Sequence, residues 1–473
     1  MRIGADRYAH WFDGDGMMHA LRVDGRRGTA SYRSRFVKTD RYLLQRLRSH
    51  ERIAVKGAWT PAAGGNRLTS FLRNLGFPTN PSNTSVLSFA GKLLSLCEAA
   101  LPIEVDPETL ETVMDARGPV SHDFGGGVPR GSGFSAHYKI CAETGELFNF
   151  GISPPLGGGL PGLTVYRISP EGGVTATASL PFEAGYLFFV HDFAISANHL
   201  VFFMPPWVTP LSASVGALAG GTALGHAFGW RPELGTRLVV LRRADLSVAL
   251  DCKVPNFSTY HFANAFEADG KLEVLVNHLN GPRDRLEALF ANMYAAEFTD
   301  EGENTLMRHT IDLGRGVGAG TLAYEGCAPA VPFEPCGWPS PGDRALGMEF
   351  PEINPRYVGR PNRYVYSTAL SDGTFLDTLQ KHDLEAGTTA KRKFGPARNF
   401  GEAMFIPKEG AAAEDDGYLL LHAYRNATHT SDMVIVDART LETLCELHLP
   451  CHVPYTFHGQ FDSAAPKAAA EGE

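Results

Sequence analysis

The sequence predicts an all-β protein whose strands close into one large barrel-like or propeller-like body, and three observations predict it. Short segments rich in β-branched and aromatic residues recur along the chain, among them SVLSFAGKLLSL, LTVYRIS, HLVFFMP, TRLVVLRR, LEVLVNH and GYLLLHAY. Each is bounded by Gly, Pro, Asp or Asn, as strands between turns are. Helical periodicity is confined mainly to NGPRDRLEALFANMYAAEF and RYLLQRLRSHERIAV, too little for an alternating strand–helix fold. The 51 glycines and 31 prolines supply turns for many short strands. A length of 473 residues exceeds an ordinary domain, but a closed β architecture can absorb it. No internal repeat is legible, so periodicity does not give a blade number.

Bulk composition excludes several classes. Hydrophobic residues make up 44% and charged residues 20%, which is globular rather than disordered. The net charge is −9 and no Lys/Arg block occurs, so no nucleic-acid partner is expected. The seven cysteines, from Cys97 to Cys451, are odd in number and form no CxxC pair, which suits reduced thiols. The opening MRIGADRYAHWFDGDG lacks the apolar core of a signal peptide, and no stretch is long and apolar enough for a spanning helix. A cytoplasmic location is therefore expected. Residues 1–463 read as one domain and 464–473 as a disordered tail. Gly125–Gly133 and Ala411–Asp416 read as flexible or irregular linkers. Pro205–Gly229 carries no Asp, Glu, Lys or Arg. It reads as a buried loop or as a patch that dips into a lipid interface, with Trp207 and Leu211 as the contact residues.

The chemistry centres on histidine. Among 17 histidines, four stand in or beside strand-like segments: His137 in GFSAHYKICAETGELFNFG, His191 in FFVHDFAISANHLVF, His261 in STYHFANAFEADG and His458 in VPYTFHGQF. A single histidine in such a place is usually a satisfied core residue. No GxxxxGK[ST] or GxSxG motif points to phosphate or acyl chemistry. His199, His422 and His452 read as structural, and Glu143 and Asp192 as turn or strand-edge residues.

The four histidine contexts, in order, resemble the metal-binding segments of the carotenoid cleavage dioxygenases, a family that includes a retinoid isomerase and lignostilbene dioxygenases. HWFDGDGMMHALR, NPSNTSVLSFAGKLLSL, VDPETLET, FPEINPRYVGRPNRYVYS and EDDGYLLLHAY extend the resemblance along nearly the whole chain. It implies a seven-bladed β-propeller with a small helical cap over the metal site. It also implies iron(II) held by His137, His191, His261 and His458. Three glutamates matching the family's outer carboxylates are Glu98 for His191, Glu349 for His261 and Glu402 for His458. Imidazole nitrogen suits iron(II), and a ligating histidine needs a partner on its other ring nitrogen. The implied activity is cleavage of a C=C bond of a carotenoid or apocarotenoid by O₂ into two carbonyl products.

Two departures qualify the resemblance. Only MRIGADRYA precedes His10, where family members carry an additional strand with an Arg-Asn-Gly-Pro segment. A removed targeting segment, and with it a plastid location, stays open. Cys97, immediately before Glu98, stands where carotenoid-cleaving members often have Trp and stilbene-cleaving members Lys. A thiol lacks the positive charge that favours an ionised phenol. Cys97, Phe193, Phe262 and Phe457 are the expected substrate-lining residues. The other readings are cleavage of a stilbene or phenylpropenoid by the same centre, retinoid isomerisation, and a non-catalytic lipid-binding propeller.

Overall fold

The computed structural model describes residues 2–462 apart from 4–5, 9, 47–54, 63–66, 77, 99, 154–159, 221–222, 280–303, 315–321, 332–344, 372–373 and 395–397. Strands dominate, as expected. Five four-stranded antiparallel meanders follow one another along the chain. Meander 1 comprises Lys139–Ile140, Leu147–Ser153, Gly162–Ile168 and Val174–Pro181. Meander 2 comprises Ala194–Ile195, His199–Met204, Thr236–Arg242 and Val248–Val254. Meander 3 comprises Phe262–Ala268, Lys271–His278, Thr305–Asp312 and Ala323–Pro329. Meander 4 comprises Ala345–Glu352, Tyr364–Ser371, Thr374–Asp383 and Thr388–Lys393. Meander 5 comprises Arg398–Pro407, Gly417–Arg425, Thr430–Asp437 and Thr443–His448. Smaller sheets precede them, the larger two being a hairpin of Met17–Asp24 with Thr29–Phe36 and a three-stranded sheet of Ser85–Phe89, Lys92–Leu96 and Ile103–Val105.

The apolar strands explain how the meanders stack. In HLVFFM, Leu200 and Phe202 enter one cluster with Phe148 and Phe150 of meander 1. Val201 and Phe203 enter another with Phe262, Val274 and Val276 of meander 3. Successive side chains of a strand point to opposite faces, so a strand packed on both sides must be apolar throughout. Similar clusters join meander 3 to meander 4 through Phe266, Met348 and Val365, and meander 4 to meander 5 through Tyr366 and Phe400. Leu87 and Leu94 of the three-stranded sheet share a cluster with Leu147 and Tyr166 of meander 1. The C-terminal segment returns to that same sheet: His458 N donates to Thr84 O at 3.2 Å, and Ser88 N donates to Gln460 Oε1 at 2.6 Å.

Three short α-helices are seen among the described residues: Asp40–Leu44, Arg67–Asn74 and Leu211–Leu218. The helix expected at 280–298, most of the second helical stretch and the tail 464–473 lie outside the described residues. The last two helices are tied together at their ends. Gly76 N donates to Leu218 O at 2.7 Å, and buried Lys56 Nζ donates to Asn74 O, Gly76 O and Ala217 O at 2.7, 2.9 and 2.8 Å. Ala411–Asp416 is irregular but anchored rather than free: Glu414 accepts from the Arg363 and Tyr364 amides, and buried Asp415 pairs with Lys381 at 2.7 Å.

Within meander 3, His278 and His309 face each other, Nε2 to Nε2 at 2.7 Å, with Phe257 stacked 3.9 Å from His278. Burial lowers both to about 3, and it lowers His422 of meander 5 to about 4. The unfolded chain takes up protons near its ordinary histidine value of 6.5, whereas the fold refuses them. Stability is thus fully present above about 6.5 and is lost as pH falls toward the folded values. The melting temperature should decline on acidification from neutral pH to about 4, and a His278→Leu/His309→Leu double variant should decline less steeply. A melting temperature flat across that range contradicts the assignment.

Candidate metal centre

The four histidines, far apart in sequence, converge. Their ligand nitrogens all lie within 4.8 Å of one another. Ring centroids stand 4.3 Å apart for His137 and His191, 4.4 Å for His137 and His458, and 5.1 Å for His261 and His458. Three of them arrive by the same device, just ahead of the first strand of a meander: His137 before Lys139–Ile140, His191 before Ala194–Ile195 and His261 before Phe262–Ala268. His458 follows the last strand of meander 5 and lies against the start of the three-stranded sheet.

Buried polar groups fix these segments. Ser135 Oγ accepts from the His137 amide at 3.0 Å and donates to His191 O at 3.2 Å. Asp192 is buried between three meanders: it accepts from the Phe262 amide at 2.8 Å and pairs with Lys139 Nζ at 2.9 Å. It is a tie at the centre, more than the strand-edge residue expected of it. Glu143 is a surface partner of Arg360. His199 pairs with Glu267 at 2.9 Å, away from the four histidines, in keeping with its structural reading.

Each expected carboxylate meets its expected histidine. His261 Nδ1 is 2.8 Å from Glu349 Oε2, His458 Nδ1 is 2.9 Å from Glu402 Oε1, and His191 Nδ1 contacts Glu98. A carboxylate only accepts, so the Nδ1 atoms carry the protons and the Nε2 lone pairs are left to face the other rings, where His191 Nε2 lies 2.9 Å from His137 Nε2. Two carboxylates arrive on β-bulges. The pairing of meander 4 slips between Glu349 and Glu352, and that of meander 5 slips between Phe400 and Ala403, around Glu402. Gly401 gives the close approach needed there, since a Cβ would stand 2.6 Å from Thr456 Oγ1 and 3.1 Å from Thr456 O, on the extended segment that delivers His458. Gly133 meets the backbone of Glu98 as closely, so the end of the Gly125–Gly133 loop is packed rather than free.

The electrostatics suit a cation. Burial, reinforced by the neighbouring imidazoles, drives His137 well below its ordinary value, and burial does the same to His261. Both rings are neutral at neutral pH. Burial pushes Glu402 up, but His458 and the Gly459 amide outweigh it and hold the carboxyl down. His261 Nε2 is buried with no hydrogen-bond partner. A buried acceptor left unpaired costs about 1–3 kcal/mol, which a bound cation would remove. Four neutral nitrogens are a donor set for a transition metal such as iron, zinc or copper.

The expected substrate-lining residues divide. Cys97 is a half-buried thiol, not in a disulfide, directly beside Glu98, and Phe457, next to His458, meets Phe12 at 5.5 Å. Phe193 is fully buried against Phe150 and Phe202, and Phe262 packs on Phe203, so both fill the cores between meanders instead. For Phe262 strand alternation is the reason, since it directly follows His261 and faces the opposite way. Phe193, two residues after His191 and just ahead of the strand Ala194–Ile195, is taken up by the cluster between meanders 1 and 2. Two aromatic neighbours went unnoticed in the sequence: Tyr260, 5.0 Å from His191, and Phe350, 5.2 Å from His261. Tyr260 directly precedes His261 and could have been found from that position.

The model of the retinal pigment epithelial membrane protein (RPE65) family matches residues 1–463. The chain belongs to this family. It is 29% identical over 477 residues to apocarotenoid-15,15'-oxygenase of Synechocystis sp. (strain ATCC 27184 / PCC 6803 / Kazusa), covering 98% of this chain and 88% of that protein. It is 31% identical to a chloroplastic 9-cis-epoxycarotenoid dioxygenase of Oryza sativa subsp. japonica, covering 96% and 68%. It is 28% identical to isoeugenol monooxygenase of Pseudomonas nitroreducens, covering 97% and 89%. The crystal structure of the cobalt-substituted Synechocystis oxygenase superposes with a TM-score of 0.79 at 28% identity, over 96% of this chain and 89% of that one.

Replacing His261 by Ala should abolish most metal binding, measured as metal content per chain after loading. Glu402→Gln should fold normally yet lose roughly 10–100-fold in metal affinity or rate, and less than Glu402→Ala, because Gln still offers a carbonyl. Full metal occupancy in His261→Ala, or a Glu402→Gln variant equal to the parent, contradicts these roles.

Proposed function

We propose that this protein is a non-haem iron(II) dioxygenase that cleaves a C=C bond of a carotenoid or apocarotenoid. The four-histidine cluster, with its three carboxylate-backed rings, is the observation that carries the reading. The match to carotenoid and apocarotenoid oxygenases supports the substrate class. On this reading residues 1–463 form one closed propeller of seven blades, the hairpin and the three-stranded sheet adding to the five meanders, with a small helical cap. When bound, iron(II) would supply activation of O₂, whose two atoms end on the two carbons of the cleaved bond. His137, His191, His261 and His458 would hold it. Glu98, Glu349 and Glu402 would fix ring orientation, and the surrounding aromatic groups would exclude water. No protein acid or base is needed.

Cys97 bears on the choice of alkene. A long polyene gains affinity by burial, roughly 25 cal/mol per Å² as an upper limit, and needs no charged anchor. A hydroxystilbene or phenylpropenoid gains from a cation at its phenol, which Cys97 cannot provide. The isoeugenol-oxidising relative keeps the phenylpropenoid reading in play. Competition between an apocarotenal, 4-hydroxystilbene and isoeugenol, read as relative kcat/KM, should favour the apocarotenal. Cys97→Lys should shift preference toward the phenols. A wild-type preference for either phenol contradicts the polyene assignment.

We also infer reversible contact with a lipid surface, through residues other than those expected. Trp207 is only 8% exposed and packs beside Trp230, and Leu211 is half-buried. The exposed apolar groups are Val215, 64% exposed, and Leu68, Phe71, Leu72 and Leu75 along the helix Arg67–Asn74 and its end. Their i, i+3, i+4, i+7 spacing makes one face, and the joined helix ends hold Val215 in the same region. Among the described residues no helix is long and apolar enough to cross a membrane. Phe71→Ser with Leu72→Ser should lower liposome binding while sparing turnover of detergent-dispersed substrate. Unchanged liposome partitioning contradicts this surface.

A further inference from the structure

Phe350 stands out because its backbone is in the wrong region for its side chain. Its φ is +53°, the left-handed region that a bulky residue adopts only when its surroundings impose it. It lies within the bulge of meander 4, between Glu349, paired with Thr368, and Glu352, paired with Tyr366. Pro351 follows and has no N–H to give to the ladder. Two consequences of this bulge converge on the metal centre. The Phe350 amide turns back and donates to Glu349 Oε2 at 3.2 Å, the same oxygen that faces His261 Nδ1 at 2.8 Å. The Phe350 ring meets His261 at 5.2 Å and 30°, and His458 at 5.3 Å and 69°. With 5.1 Å between the two imidazoles, the three rings form a nearly equilateral set.

The geometry points to Phe350 as a positioning residue: its strained bulge clamps Glu349 through the backbone and wedges an aromatic ring between His261 and His458. An aromatic residue needed only for packing would sit on regular strand, without the cost of positive φ. Here one residue sets both the carboxylate behind His261 and the angle between two rings from different parts of the chain. Without it, the side of His261 and His458 that Phe350 covers is left open, and the two rings, hydrogen-bonded only at Nδ1, could tilt toward it. This inference rests on the four-histidine metal site.

Cobalt(II), the metal carried by one solved relative, is a suitable probe, because its visible absorption reports coordination without turnover. Phe350→Ala, Phe350→Leu and Phe350→Gly should be titrated with cobalt(II), and the melting temperature of each metal-free variant measured. Glycine accepts positive φ without strain, so Phe350→Gly should be at least as stable as Phe350→Ala. Both should nevertheless bind cobalt about tenfold more weakly than the parent, with an altered visible spectrum. Phe350→Leu, which keeps bulk, should lie between them and the parent. If Phe350→Ala does not fold, Phe350→Gly and Phe350→Leu decide. Parental affinity and spectrum in the variants, with the parent binding normally, would overturn the positioning role alone. A parent that does not bind cobalt through its histidines would overturn the metal site itself.

Discussion

The structure turns on one repeated contact: an imidazole Nδ1–H held by a half-buried carboxylate. Without that partner a histidine ring can flip or change tautomer, and four such rings would present no defined set of lone pairs. With it, three Nε2 atoms are aimed at one small volume, where His137 joins them. The cost is electrostatic. Carboxylates and imidazoles are brought together, and burial with the neighbouring imidazoles depresses the protonation of His137 and His261. That arrangement is poor for a metal-free protein and favourable once a cation sits among them, because metal affinity and folding then draw on the same contacts.

The fold supplies this contact by irregularity on a regular frame. Between meanders the packing is uniform: strands apolar on both faces, with clusters that use every second side chain. A perfectly regular inner strand would place alternate residues at the centre and the rest in those clusters. The bulges around Glu349 and Glu402 break that alternation where a carboxylate has to reach a histidine from a neighbouring segment. Asp192 and Ser135 then tie the histidine-bearing segments to one another through backbone groups, so that meanders 1, 2 and 3 cannot shift independently.

Histidine itself has two fates in this chain. His278 and His309 face each other in the heart of meander 3, and His309 Nδ1 has Tyr324 Oη at 3.1 Å, a closed arrangement that needs nothing further. His261 is as deeply enclosed, yet its Nε2 has no partner. The clustered histidines differ from a satisfied core histidine by bringing four ring nitrogens within 4.8 Å of one another, and only the three-dimensional neighbourhood reveals it.

Much was legible in the sequence alone. Strand segments, scarce helices and turn residues determined an all-β chain, because local propensity and two-residue alternation are local properties. Ordered motif contexts singled out the four histidines, and the apolar settings of Glu98, Glu349 and Glu402 set them apart from surface carboxylates. Tertiary structure decided what depends on direction. Phe193 and Phe262 lie close to the clustered histidines in sequence but point into cores: Phe262 because it directly follows His261 and faces the opposite way, Phe193 because it packs on Phe150 and Phe202. Trp207 is interior, while an exposed apolar face is built by Leu68, Phe71, Leu72 and Leu75, on and just past the helix Arg67–Asn74. Phe350 reaches the metal centre only because a bulge reverses its orientation, and a bulge arises from the pairing of two strands rather than from either strand alone.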